Sequence, residues 1–134
     1  MEEKLDTAKK PRPFAAILCG AVSVFLLMGL GSWFGELSAL AAVLLGSGTF
    51  LLAGAIGCAL IPQRPFRAAL LVVSGVLVGI TLHIIIFPKL NGYERNLFPI
   101  EIAANTLWAA VCCFLVAALW KMRSRFLVSE KSSV

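Results

Sequence analysis

The chain has 134 residues, a mass of 14.4 kDa and a formal net charge of +5. Hydrophobic residues make up 60% of the sequence and charged residues only 14%, whereas roughly 25% of an average soluble domain is charged. This composition excludes a disordered chain, a collagen-like repeat and a soluble disulfide scaffold. The mean hydropathy of +0.92 indicates a protein whose solvent is lipid.

Four long apolar runs contain none of the Asp, Glu, Lys and Arg residues of the chain. Because a bilayer core about 30 Å thick needs about 20 helical residues, every run is long enough to span it. We therefore predict an all-α integral membrane protein, a compact bundle of four transmembrane helices in a single membrane domain over residues 14–120. The predicted helices cover about 14–34, 37–61, 68–88 and 100–120, between tails at 1–13 and 121–134.

The first two runs are separated only by Gly35 and Glu36. One continuous helix through both runs would extend about 72 Å, more than a bilayer accommodates, so we expect a tight turn at Gly35. A cleaved signal peptide remains an alternative for the first run. Its 21 residues exceed the usual apolar core of about 7–15 residues in such peptides.

Small residues four positions apart predict the faces on which the helices pack, because association in lipid depends on close backbone approach. Compact packing within one chain is the simpler interpretation of this pattern, and dimerisation is the alternative. The candidate packing residues are Gly31, Gly35, Gly46, Gly57, Gly75 and Gly79.

His83 is the one strongly polar titratable side chain inside the runs, and it continues the row of Gly75 and Gly79. Glu101 and Asn105 begin the fourth helix on the same side of the membrane, so the three polar side chains form a candidate site. A structural interpretation competes with this one. A neutral imidazole bonded to a neighbouring helix is stable in lipid, and Glu101 suits the first turn of a helix.

The segment at residues 89–99 is the one long connection on the opposite side from the tails. Tyr93, Glu94 and Arg95 are its candidates for recognition of a partner. An ordinary interfacial connector is the alternative interpretation.

Lys and Arg are distributed unequally between the two sides of the predicted bundle. The two tails and the second connection carry ten of them, and the third connection carries only Lys89 and Arg95. By the positive-inside rule both termini are cytoplasmic, in a multi-pass protein of the cell (inner or plasma) membrane. The basic residues also contact anionic lipid headgroups.

The sequence contains no catalytic motif, no Cys/His spacing typical of a metal site and no nucleic-acid-binding module. We expect no cofactor, no metal and no nucleic-acid partner, and we interpret the four cysteines as small apolar residues. The preferred hypothesis is a non-enzymatic subunit or assembly factor that associates with another membrane protein or with itself. A homo-oligomeric small-solute or proton-linked transporter is the alternative. A lipid-handling enzyme that uses His83 as a general base is a third hypothesis.

Overall fold

The computed structural model of the chain describes residues 12–33, 39–86 and 98–133. These residues form four α-helices, and no strand occurs among them. The helices are α1 (Pro13–Trp33), α2 (Ala39–Leu60), α3 (Pro65–Ile86) and α4 (Phe98–Ser132). The prediction of an all-helical fold built on four apolar helices is confirmed.

Three of the helices are long and apolar enough to cross a membrane. These spans are Leu40–Leu60, Pro65–Ile86 and Ile102–Ser132, while the apolar segment of α1, Pro13–Gly29, is shorter. In the most apolar stretch of each span, only 33%, 33% and 22% of the residues are buried inside the bundle. Exposed apolar surface on this scale is unfavourable in water, so a lipid bilayer is the environment that suits these helices.

A tight turn joins α2 to α3 at one end of the bundle, which we call the loop end. The backbone N–H of Arg64 donates to the carbonyl oxygen of Ile61 over 3.3 Å, and Pro62 takes the second position of the turn, where its fixed φ is favourable. Pro65 then opens α3, because the first helical position needs no N–H. The helix therefore begins at Pro65 rather than at the predicted residue 68, and Arg67 lies inside it.

α4 is much longer than the sequence analysis predicted. It continues to Ser132 rather than ending near residue 120, so most of the expected C-terminal tail is helical. No Gly or Pro interrupts residues 121–132, and Lys, Met, Arg, Leu and Glu are good helix formers. The charged residues that follow Trp120 therefore do not end the helix.

The central pair of the bundle is α2 and α3, which contact each other. In the described parts of the chain, α1 and α4 each contact both central helices but not one another. Residue numbers rise together along the contacts between α1 and α3, from Ile17–Gly75 to Ala21–Gly79, so these two helices are parallel. The same holds for α2 and α4, where Ser47 contacts Trp108 and Phe50 contacts Cys113. The result is an up-down-up-down arrangement in which α1 and α4 occupy opposite outer positions.

The core consists mainly of small side chains. One cluster near the loop end includes Ala16, Ala68, Ala69, Val72 and Cys113, and a second includes Val24, Phe50, Val76, Ile80 and Ala109. Small residues let helix backbones approach closely, which increases the dispersion contacts between them. In lipid these contacts hold helices together in place of the hydrophobic effect that stabilises soluble bundles.

Candidate functional site

α1 and α3 share the most extensive contact among the described helices. A Cβ on Gly75 would collide with the carbonyl oxygen of Ile17, and a Cβ on Gly79 would lie 3.0 Å from the Cα of Ala21. In the opposite direction, a Cβ on Gly20 would collide with the carbonyl oxygen of Val72. We call this contact the α1–α3 seam. The two backbones lie so close there that only glycine, which has no Cβ, fits at these three positions.

The other candidate packing glycines differ in their surroundings. A Cβ on Gly57 would lie 2.6 Å from Cγ2 of Val72, whereas a Cβ on Gly46 would meet only Leu27, at 3.9 Å. Gly31 lies in α1, in a part of that helix whose side-chain surroundings are not described, and Gly35 lies outside the described residues.

Gly54 is a packing glycine that the sequence analysis missed. A Cβ on this residue would lie 3.2 Å from the Cα of Cys113, so α2 and α4 approach closely there. The thiol of Cys113 also contacts the carbonyl oxygen of Phe50, over 3.7 Å. The spacing of Gly54 and Cys58, two small residues four positions apart, is the signal that could have revealed it.

His83 extends the α1–α3 seam by one more turn. Its ring lies edge-on to Phe25 of α1, with ring centroids 5.9 Å apart, an arrangement that aromatic pairs favour. Asn105, one of its two predicted neighbours, is half-buried near the start of α4. The side chain of the other, Glu101, lies outside the described part of the structure.

Thr106 and Trp108 are polar residues of α4 that turn toward the bundle near the same end. The indole Nε1 of Trp108 donates to Oγ of Ser47 over 3.0 Å, and that hydroxyl donates to the carbonyl oxygen of Val43 over 2.7 Å. Oγ1 of Thr106 is buried and has no hydrogen-bond partner among the described atoms. A hydrogen bond between side chains therefore links α4 to α2 near this end.

The predicted recognition residues Tyr93, Glu94 and Arg95 all lie outside the described residues. Within residues 12–33, 39–86 and 98–133, no group of three His, Cys, Asp or Glu side chains is arranged to hold a metal ion. The four cysteines are free thiols, and three of them are buried.

A cleft of about 440 Å³ opens at the loop end of the bundle, and we call it the loop-end cleft. Residues 62–67, from the turn and the first turn of α3, form one wall. The other wall belongs to α4. It consists of Trp120, Lys121, Ser124 and Arg125. Both walls carry basic residues, so the cleft is suited to an anion.

α4 projects beyond the loop-end cleft as a free helical segment. A helix of 35 residues is about 52 Å long, against a bilayer core of about 30 Å. Residues 122–132 are exposed throughout. Met122 is level with the cleft, and Phe126 and Val128, which follow its last lining residue, are 73% and 70% exposed, so large apolar side chains extend beyond the cleft.

No family model, curated protein or solved structure matches this chain. Two surfaces of the described structure are suited to binding, the loop-end cleft and the projecting end of α4.

Proposed function

We propose that the protein acts by association, as a non-enzymatic subunit or assembly factor of a membrane complex. In this proposal all four helices span the inner or plasma membrane, and both termini are cytoplasmic. The 21 residues of α1 rise about 31 Å, which is enough for a fourth span. The excess of Lys and Arg in the tails and the second connection supports a cytoplasmic loop end.

The observation that carries the proposal is an exposed apolar stripe along α4. Its members follow one another at spacings of four, three and four residues, the pattern of a helix that packs against another helix. Their side chains are between 52% and 73% exposed. We call this set the α4 stripe, and it consists of Leu115, Leu119, Met122 and Phe126.

Lipid accounts for the first half of the α4 stripe but not for the second. Leu115 precedes the loop-end cleft and lies at the level of the spans, where an exposed leucine faces acyl chains. Met122 and Phe126 follow Lys121, which lines the cleft, and they are interleaved with Arg123 and Arg125. An apolar surface in this position is best covered by another protein helix.

The outer position of α4 also supports an intermolecular role. In the described residues α4 contacts only α2 and α3, and no member of the α4 stripe is part of either buried core cluster. A partner helix could therefore pack along the stripe without rearrangement of the four-helix core.

The test is the double substitution M122E/F126E in the full chain, with Val128→Glu as its control. The protein is purified in a mild detergent from its natural membrane, and its native mass and co-purifying chains are determined. Two carboxylates in the stripe should lower the amount of complex about tenfold or more, because lost central apolar anchors each cost about 2 kcal/mol.

Val128 is 70% exposed and lies roughly 200° around the helix from Phe126, so Val128→Glu should leave the complex intact. A stoichiometric partner, or a homo-oligomer, that is lost only in the double variant supports the proposal. A protein that is monomeric and alone before substitution contradicts it, as does a complex that survives M122E/F126E.

A further inference from the structure

The loop-end cleft lies beside the turn at which the span of α2 ends and that of α3 begins. α2 finishes its span at Leu60 and α3 begins its span at Pro65, so the turn between them is at the level of a lipid headgroup layer. The opposite wall is the part of α4 at Trp120, a residue type that favours this interface. A ligand in the cleft therefore lies at the boundary between lipid and water.

Four cationic side chains line the cleft. Arg64 and Arg67 belong to the α3 wall, Lys121 and Arg125 belong to the α4 wall, and no Asp or Glu is among the described lining residues. Like charges that face one another across a confined space repel, and an anion between them removes that repulsion. Arginine also binds phosphate oxygens through two parallel hydrogen bonds.

A pair of aromatic rings lies beside the cleft, and one of them, Phe66, also lines it. Phe66 stacks with Phe114 of α4 at a centroid separation of 6.2 Å, and Nζ of Lys121 lies 5.4 Å from the centroid of the Phe66 ring. This contact holds the ammonium group beside the cleft. Phe66, Leu70 and Phe114 are exposed on the outer surface of the bundle, so an apolar surface continues from the cleft along α3 and α4.

We propose that the loop-end cleft binds the phosphate of an anionic phospholipid, whose acyl chains lie against Phe66, Leu70 and Phe114. The four cations explain the preference for negative charge, and the adjoining apolar surface explains the preference for a lipid over a free phosphate ion. This site is independent of the α4 stripe, because neither Met122 nor Phe126 lines the cleft.

The experiment measures lipid binding to the full chain by native mass spectrometry in detergent. Phosphatidylglycerol and phosphatidylcholine are titrated in parallel, and the expected result is a tighter complex with phosphatidylglycerol. The variant R67Q/R125Q should weaken phosphatidylglycerol binding roughly tenfold, because each cation near an anionic headgroup contributes to the attraction. Binding of phosphatidylcholine should change little.

The control variant R123Q/K131Q removes two exposed cations of α4 that do not line the cleft. It has the same change in net charge as R67Q/R125Q, and it should keep the preference for phosphatidylglycerol. An equal loss in both variants would show that only net charge matters and would overturn the assignment to the cleft. Unchanged binding in R67Q/R125Q would overturn it as well.

A competition experiment with sodium phosphate distinguishes a lipid headgroup from free inorganic phosphate as the ligand of the cleft. At millimolar concentration and constant ionic strength, it should not displace bound phosphatidylglycerol. Displacement by inorganic phosphate, without any contribution from the acyl chains, would overturn the lipid assignment.

A second variant keeps the proposal testable if the arginine substitutions disturb folding. Ser124→Asp places a carboxylate on the α4 wall of the cleft, and it should also weaken phosphatidylglycerol binding. Ser133→Asp places the same charge past the end of α4, about two helical turns beyond Arg125 and away from the cleft lining, and it should bind normally. Helical circular dichroism of each variant verifies that the bundle is intact.

Discussion

Gly75→Ala should lower the free energy of unfolding by about 1–3 kcal/mol, the usual cost of overpacking a closely packed interior. The added methyl group would collide with the backbone carbonyl oxygen of Ile17. A backbone cannot rotate away as a side chain can, so α1 and α3 must separate along the α1–α3 seam. Reversible unfolding in mixed detergent micelles, followed by circular dichroism, measures the effect.

Gly48→Ala is the matched control, because a Cβ at this position would meet nothing within 4 Å. Both glycines lie in the interior of a helix, where alanine is intrinsically more favourable by roughly 0.5–1 kcal/mol. Gly48→Ala should therefore be neutral or stabilising. Equal destabilisation by the two variants would show that the α1–α3 seam is not closely packed.

Gly57→Ala should also destabilise the bundle, but a second substitution should rescue it. The added methyl group would lie 2.6 Å from Cγ2 of Val72, a side-chain atom. Val72→Ala alone should cost about 1–3 kcal/mol through lost contacts and a cavity. In the double variant the new methyl group partly fills that cavity. Its loss of unfolding free energy should therefore be smaller than the sum of the losses of the two single variants by about 0.5–3 kcal/mol.

The same cycle applied to the α1–α3 seam should give the opposite result. Trimming Ile17 to alanine leaves its carbonyl oxygen in place, so Ile17→Ala should not rescue Gly75→Ala. Thermal midpoints of the four single variants and the two double variants, in one detergent, test both statements. Rescue of Gly75→Ala, or strict additivity of Gly57→Ala and Val72→Ala, would contradict the packing described here.

Hydropathy alone was enough to predict the helices, because a segment in lipid must satisfy its backbone hydrogen bonds internally. The boundaries at the loop end were less accurate. Arg67 marked the start of the third apolar run but lies inside α3, and Lys121 marked the end of the fourth run but lies inside α4. The positions of charged residues depend on where lipid gives way to water. The start of α3 depends instead on Pro65, whose fixed φ and missing N–H suit the first position of a helix.

The spacing of residues in the sequence does not show which helices pack against each other. The shared row of Gly75, Gly79 and His83 was visible in the sequence, but nothing in the sequence indicated that this row packs on α1. The loop-end cleft was hidden for the same reason. Arg64, in the turn before α3, and Arg125, in α4, are distant in sequence, and their relative height depends on how the helices pack, so their shared cleft is a tertiary feature.

The α1–α3 seam also constrains how the chain is made. Because residues 65–86 follow α1 and α2 in the chain, the glycine face of α1 lacks its main neighbour until α3 has been made. Its final position depends on the later arrival of α3, since α1 and α4 do not touch in the described structure. Until then the Gly20 surface is open to contact by another helix, and packing of α3 against it closes that surface within the protein's own bundle.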